Sequence, residues 1–119
     1  MALTSSSWMD QLLAAMSGWQ ASDLFITEGK VPAVRVQGTV RPVKRPATSK
    51  DELRAWIDAA FTKAQVARLD DEGDLDAGYT LEDGRRFRIN LSRQRSGTGL
   101  VSWKIAPRRK LEATRTATP

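Results

Sequence analysis

Residues 21–29 read ASDLFITEG, and residues 34–38 read VRVQG. Leu24 and Ile26 stand two positions apart, so their side chains share one face of an extended chain. Each run closes on a glycine, and a proline lies between the two runs. Glycine and proline favour turns and interrupt regular structure. The pattern therefore predicts two consecutive strands joined by a short turn, at residues 22–28 and 32–37.

A second region of alternating residues lies towards the end of the chain. Phe87 and Ile89 alternate with arginines, and the Asp83-Gly84 dipeptide before them is a strong signal for a hairpin turn. The sequence therefore predicts a strand on each side of this dipeptide. A further turn is predicted at residues 96–99, which read SGTG, and a last strand is predicted at residues 100–105.

The first helix is predicted near the N-terminus. Ser7 is followed by apolar residues at helical intervals as far as Met16, and Gly18 is the expected residue at the helix end. Tryptophan side chains are highly buried on average. The four tryptophans are therefore expected in or near the core: Trp8, Trp19, Trp56 and Trp103.

Two more helices are predicted in the middle of the chain. Ser49 and Glu52 form a capping-box pattern, and residues 53–61 place apolar side chains at the spacing of a core-facing helix. A third, shorter helix is predicted after Thr62, with its end near Gly73.

The predicted elements run in the order helix, two or more strands, two helices and a three-stranded meander. Because strands and helices do not alternate as βαβ units, the sequence predicts an α+β fold. A mostly antiparallel sheet would pack against two to three helices. The chain of 119 residues suffices for one domain, placed at residues 1–106. Residues 107–119 carry four basic residues against one acidic residue, and we expect a basic flexible tail or a linker stub.

The composition excludes several kinds of chemistry. The chain has no cysteine and no histidine, which excludes disulfides, the usual structural zinc sites and catalytic pairs that use histidine. A phosphate-binding loop of the form GxxxxGK[ST] is absent from the sequence. The acidic residues at 70–76 lack the spacing of a calcium loop and are expected to form a solvated helix end. Neither a signal peptide nor a spanning apolar run is present, so the cytoplasm is the expected compartment.

Four arginines form the candidate functional group: Arg86, Arg88, Arg93 and Arg95. By strand alternation, Arg86 and Arg88 share the face opposite Phe87. Two interpretations are open. The arginines are either charges on an exposed sheet face or edge that prevent unwanted pairing, or guanidinium groups that bind a phosphate or an acidic partner. Phe87 and Trp103 are expected to alternate away from the arginines, which disfavours a stacking platform for nucleic acid.

In their order and spacing, these segments resemble the opening domain of the PilT/PilU-type pilus-retraction ATPases. The resemblance covers residues 8–105, and its most specific part is GRRFRIN at residues 84–90, followed by Gln94-Arg95. With Phe25 in the run DLFIT, the sequence resembles the accessory PilU-like branch more than the main retraction motor. The dipeptide at 103–104 departs from the family pattern, which is rich in arginine there.

The resemblance implies a PAS-like domain that is the N-terminal part of a type IV pilus retraction ATPase. In this family, the domain packs against the RecA-like motor domain of the same or a neighbouring subunit in a hexamer that supports pilus disassembly and twitching motility. Arg86, Arg88 and Arg95 are implied to contact the nucleotide at that junction. ATP and magnesium would bind to the motor domain, with no cofactor in this chain. The whole protein would be cytoplasmic and peripheral at the inner membrane through the pilus machine.

A second hypothesis stays open, namely a stand-alone PAS-like interaction or sensor module without a motor. Such a module would bind a partner, and an apolar cavity between sheet and helices would suit a small ligand. Nucleic acid is not an expected partner under either hypothesis. Residues 1–106 carry a net charge of only +2, which gives little attraction for a phosphate backbone.

Overall fold

The computed structural model describes residues 7–95 and 97–104. The helices are α1 (Trp8–Trp19), α2 (Lys50–Ala60) and α3 (Lys63–Glu72). The strands are β1 (Ala21–Thr27), β2 (Ala33–Val36), β3 (Thr39–Pro42), β4 (Asp74–Thr80), β5 (Arg86–Gln94) and β6 (Gly97–Lys104). The predicted tail at residues 107–119 lies outside the described residues, so the domain boundary at residue 106 stays a prediction.

The six described strands form one antiparallel sheet in the order β3-β2-β1-β6-β5-β4. β1 and β6 pair at its centre, with Asp23 opposite Trp103 and Thr27 opposite Gly99. This pairing joins the N-terminal hairpins to the C-terminal meander across the whole length of the chain. The structure confirms the predicted α+β fold with an antiparallel sheet and helices packed against it.

The core lies between the helices and one face of the sheet. Fully buried side chains include Leu24 and Ile26 of β1, Phe87 and Ile89 of β5, Leu13 of α1 and Ile57 of α2. Full burial of a large apolar side chain stabilises the folded state by about 1.5–3 kcal/mol. This burial therefore decides which face of each strand is left for polar and charged residues.

The second and third helices begin as predicted. The Ser49 hydroxyl accepts from the Glu52 N–H at 3.0 Å, and the Glu52 carboxylate accepts from the Ser49 N–H at 2.9 Å. Thr62 and Gln65 form the same reciprocal pair at the start of α3. Each cap stabilises its helix by about 1 kcal/mol. α3 is capped at its C-terminal end by Gly73, which has a left-handed φ of 86°. Within the described ranges, each helix is too short or too polar to cross a membrane.

The end of α1 differs from the prediction. The helix continues through Gly18 to Trp19, and Gln20 adopts the left-handed conformation, with a φ of 57°. The Gln20 N–H donates to the carbonyl oxygens of Met16 and Ser17. These two hydrogen bonds complete the cap with a residue other than glycine. As a result, Trp19 lies at the end of the helix and is 40% exposed, so its predicted burial is wrong, whereas Trp56 is buried.

The predicted turn at residues 96–99 is also wrong in its extent. β6 begins at Gly97, which stands opposite Gln94 in the register and leaves two positions between β5 and β6. Gly97 has a φ of 119°, and the Glu28 carboxylate occupies the space into which a Cβ would point. Glycine is needed here to start a strand under these constraints. A glycine-rich run therefore indicated a turn where the chain forms a strand.

A hydrogen bond between side chains ties α1 to β4. The Tyr79 hydroxyl donates to Asp10 Oδ1 at 2.6 Å, and the Tyr79 ring packs edge-on against Trp56 with ring centres 5.4 Å apart. Burial, together with the hydrogen bond to Asp10 and the charge of that carboxylate, raises the pKa of Tyr79 from 10.0 to about 12.

Titration of Tyr79 tests this contact directly, because the chain has a single tyrosine. We expect tyrosinate absorbance to appear with a midpoint of about pH 12 in the folded protein and near pH 10 in urea. The folded state holds the Tyr79 proton more tightly than the unfolded state does. The contribution of this proton to the free energy of unfolding is therefore complete below pH 10 and is lost as the pH rises towards 12. In the Asp10→Asn variant, Tyr79 should titrate with a midpoint at lower pH than in the wild-type protein. A folded wild-type protein that titrates near pH 10 would contradict the contact.

Candidate functional site

The candidate site lies on the sheet face opposite the core. Along β5, the exposed residues Arg86 and Arg88 alternate with the buried residues Phe87 and Ile89. Because successive side chains of a strand point to opposite faces, burial of the two apolar residues under the helices fixes both guanidinium groups on the outer face. The predicted juxtaposition of Arg86 and Arg88 is therefore confirmed by the burial pattern.

Arg88 forms an ion pair across the β4–β5 hairpin. Its Nε donates to Asp76 Oδ1 at 3.0 Å, and its Nη2 donates to Asp76 Oδ2 at 2.8 Å. Gly78 stands opposite Arg88 in the register, so Asp76 is a diagonal neighbour and no side chain separates the two groups. The hydrogen bond to Arg88 lowers the pKa of Asp76, and the same contact raises the pKa of Arg88.

Both members of this pair face solvent. The side chain of Arg88 is 50% exposed and that of Asp76 is 48% exposed. Water and salt screen an exposed pair, so its net contribution to stability is small and another anion can compete for the guanidinium. Asp76 therefore orients the Arg88 guanidinium, but another anion can replace Asp76 as its partner.

Arg86 has a different environment from Arg88. It is exposed at the start of β5, opposite Thr80. Among the residues that the structure describes, Arg86 has no ion-pair or hydrogen-bond partner. An unpaired guanidinium beside a paired one can bind an anion without first losing a contact.

A second charged pair lies on the same sheet face, on β1 and β2. Arg35 Nε donates to Asp23 Oδ2 at 3.1 Å, and the Arg35 guanidinium carbon lies 5.3 Å from the centre of the Phe25 ring. In the register, Trp103 stands opposite Asp23 on one side and opposite Arg88 on the other. The side chain of Trp103 lies outside the described part of the structure, so the expectation that it alternates away from the arginines stays a prediction.

Arg95 lies at a different place, just beyond the end of β5. It lines a cleft of about 290 Å³ together with Lys50 and Arg54 of α2 and Arg93 of β5. Glu28 is the acidic residue that lines this cleft, and its carboxylate accepts from the Thr98 N–H at 2.8 Å.

Two of the four basic residues in the cleft are already paired. Arg54 donates to both carboxylate oxygens of Asp70, at 2.9 and 3.0 Å, and to Asp58 at 3.1 Å. The hydrogen bond to Asp70 raises the pKa of Arg54 and lowers the pKa of Asp70. Arg93 lies 3.7 Å from Asp70 Oδ1. Lys50 and Arg95 have no such partner within the described ranges, so they are the cleft's available cations.

The three predicted site residues therefore do not form one site. Arg86 and Arg88 are neighbours on the sheet face, whereas Arg95 is seven positions beyond Arg88. At about 3.3 Å per residue of strand, that separation is at most roughly 23 Å. The two groups of arginines can contact two different parts of a large partner, or two different ligands.

Sequence reasoning missed the acidic partners of these arginines. It treated residues 70–76 as a solvated helix end, yet Asp70 pairs with Arg54 and Asp76 pairs with Arg88. The predicted hairpin at Asp83-Gly84 could have indicated the pairing of Asp76 with Arg88. Its strands bring alternating acidic residues of β4 next to alternating arginines of β5, and opposite charges across a hairpin attract each other.

The chemistry of both surfaces is that of anion binding. Guanidinium groups donate paired hydrogen bonds to carboxylates and phosphates, and among the described residues neither surface brings a nucleophile together with a base. In the part of the chain that the structure describes, no three Asp or Glu side chains are arranged to hold a metal ion.

Comparison with curated proteins places the sequence beside two pilus ATPases. The chain is 30% identical to the type IV pilus retraction ATPase PilT of Pseudomonas aeruginosa over 91 residues, which cover 76% of the chain and 26% of PilT. It is 28% identical to the type IV pilus ATPase PilU of the same organism over 96 residues, which cover 81% of the chain and 25% of PilU. The chain thus spans about a quarter of the length of these relatives. No protein-family model matches it.

Solved structures share the fold at lower sequence identity. The pilus retraction motor PilT with bound ADP matches 86% of the chain and 33% of its own length, with a TM-score of 0.72 and 22% identity. The ATPase DotB of Legionella pneumophila matches 89% of the chain and 33% of its own length, with a TM-score of 0.71 and 20% identity.

The chain therefore shares the fold of the N-terminal domain of PilT. More specifically, the sequence is similar to the N-terminal region of PilT and PilU, which confirms the resemblance that its motifs indicated. The identities to PilT and PilU are nearly equal, so assignment to the PilU-like branch stays a prediction.

Proposed function

We propose that this chain is the N-terminal assembly and coupling domain of a hexameric type IV pilus retraction ATPase, with no ATPase activity of its own. The observation that most supports this proposal is the unpaired Arg86 beside Arg88 on the outer sheet face of a domain similar to PilT and PilU. In this proposal, the sheet face meets a RecA-like motor domain of the same or a neighbouring subunit. Arginines held on a rigid strand would stabilise phosphate charge at that junction.

Within this proposal, the candidate arginines have different roles. Arg86 contacts an anion directly, whereas Arg88 exchanges Asp76 for the anion. Arg95, on the separate cleft, contacts another part of the same junction. ATP and magnesium belong to the motor domain, and the assembly works on the cytoplasmic side of the inner membrane through the pilus machine.

The source gene beyond the Pro119 codon gives the first test. We expect an in-frame motor domain with a GxxxxGK[ST] loop, because the ATPases to which the chain is similar are about four times longer than the matched region. A stop codon directly after Pro119 would overturn the proposal. It would favour the stand-alone PAS-like interaction module, in which the arginine face binds a partner other than a motor domain.

The second test is the Arg88→Ala substitution in the protein that contains the motor domain. We expect kcat for ATP hydrolysis to fall by at least about tenfold, since loss of one well-placed donor to developing charge commonly has a larger effect than this. The thermal unfolding of the domain should change little, because Arg88 is half exposed. Steady-state hydrolysis and circular dichroism measure the two quantities.

Two controls separate phosphate contact from loss of the ion pair. Asp76→Asn breaks the same pair but keeps the guanidinium, so hydrolysis should be retained. Arg68→Ala removes another exposed arginine, which pairs with Glu72 on α3, and should leave hydrolysis unchanged. If Asp76→Asn lowers kcat as much as Arg88→Ala does, the ion pair has a structural role and Arg88 does not contact the nucleotide.

A further inference from the structure

The helices cover only part of their own side of the sheet. α1 packs on β1, and α3 packs on β4 and β5. β2 and β3 lie at the edge of the sheet beyond α1, which ends at Trp19. Between the end of α1 and the β2–β3 hairpin lies an open groove of about 440 Å³.

The floor and walls of this groove are apolar. They are formed by Trp19, Val34, Val36, Pro42 and Val43. Trp19 is 40% exposed, so a substantial part of this residue contacts water. Water in contact with a concave apolar surface is unfavourable, and an apolar side chain that fills the groove would release it.

The rim of the groove is basic. Arg41 stands opposite Val34 in the register and therefore lies on the groove side of β3, and Lys44 follows it just beyond the strand. Neither cation has an ion pair or hydrogen bond to any residue in the described ranges, and no acidic residue lines the groove. The charge that complements this rim is negative.

The edge strand itself disfavours recognition by strand addition. Pro42, the last residue of β3, has no N–H to offer to an added strand. An incoming segment could therefore form only a short hydrogen-bond ladder along this edge. We therefore expect recognition to depend mainly on side chains that enter the groove and contact its rim.

We propose that this groove docks a protein segment in which an apolar anchor side chain is flanked by aspartate or glutamate. The anchor would pack against Trp19 and Val36, and the acidic residues would pair with Arg41 and Lys44. The groove opens on the helix side of the sheet, whereas the Arg86 and Arg88 row lies on the other side, so the docking does not depend on the function proposed above. A recessed groove suits an inserted side chain better than a lipid bilayer, which takes up protruding apolar groups.

Selection from a library of short random peptides, displayed on phage, tests the proposal with the 119-residue chain as bait. We expect enriched sequences to carry an aromatic or aliphatic residue with acidic residues within a few positions. The affinity of an enriched peptide, measured by fluorescence anisotropy, should fall by at least about tenfold for the double variant Arg41→Glu/Lys44→Glu. The matched control Lys63→Glu/Arg68→Glu, on α3 outside the groove, makes the same change of charge and should bind like the wild type.

The NMR signal of the Trp19 indole N–H gives a second readout that does not require a substitution in the rim. On addition of the peptide it should shift, while the signal of the buried Trp56 stays in place. Enriched peptides without acidic residues, or binding that is equal in both double variants, would overturn the proposal. So would a chain that binds vesicles of anionic phospholipid through Arg41 and Lys44 but enriches no peptide, since the groove would then serve a membrane surface.

Discussion

Replacement of Phe87 by alanine should lower the free energy of unfolding by about 4 kcal/mol, as expected for loss of a fully buried aromatic side chain. Phe87 is 0% exposed and lies on β5, a strand paired on both sides. Its register partner on β4 is Tyr79, whose ring packs against Trp56. Because neighbouring side chains are fixed by these contacts, the cavity cannot collapse fully. Urea denaturation followed by circular dichroism measures the loss.

The adjacent residue supplies the control for this prediction. Arg86→Ala changes the next position along the same strand, but on the exposed face. Exposed substitutions without special contacts usually change stability by less than about 0.5 kcal/mol. A comparable loss in both variants would show that the two faces of β5 are not divided as the burial pattern indicates. The position of Arg86 and Arg88 depends on the same division, so this pair of variants also tests the geometry of the candidate site.

Local signals in the sequence were sufficient to predict most of the elements. The Ser49 and Thr62 caps, the end of α3 at Gly73 and the Asp83-Gly84 turn each depend on contacts within a few residues. The face shared by Arg86 and Arg88 follows from strand alternation in the same way. These features are readable because their physical causes lie within one turn of helix or one hairpin.

The features that sequence reasoning missed are decided by distant parts of the chain. The central pairing of β1 with β6 joins residues that are 72 to 80 positions apart, and no local pattern specifies it. The exposure of Trp19 follows from where α1 ends relative to β2 and β3. The pairing of Arg54 with Asp70 depends on how α2 and α3 pack. The site therefore requires the three-dimensional arrangement, although its residue types are visible in the sequence.

Gly97→Ala should destabilise the fold by about 3 kcal/mol, the sum of backbone strain and the loss of a hydrogen bond to a charged group. Gly97 has a φ of 119°, a conformation that residues with a Cβ rarely adopt. A Cβ at this position would lie 2.5 Å from Glu28 Oε1, so the carboxylate would have to move. The same oxygen accepts from the Thr98 N–H at 2.8 Å, and this contact would be lost.

Gly99→Ala is the matched control for this prediction, since a Cβ there would meet its nearest atom, the Ile26 carbonyl oxygen, at an ordinary 3.8 Å. A double-mutant cycle with Glu28→Ala separates the two parts of the effect. Without the Glu28 carboxylate, Gly97→Ala should cost only the backbone strain, about 1–2 kcal/mol. Equal costs in the two backgrounds would show that Glu28 moves freely and that strain accounts for the whole effect. A coupling of about 1 kcal/mol or more would show that Glu28 helps to hold the start of β6 against the end of β1.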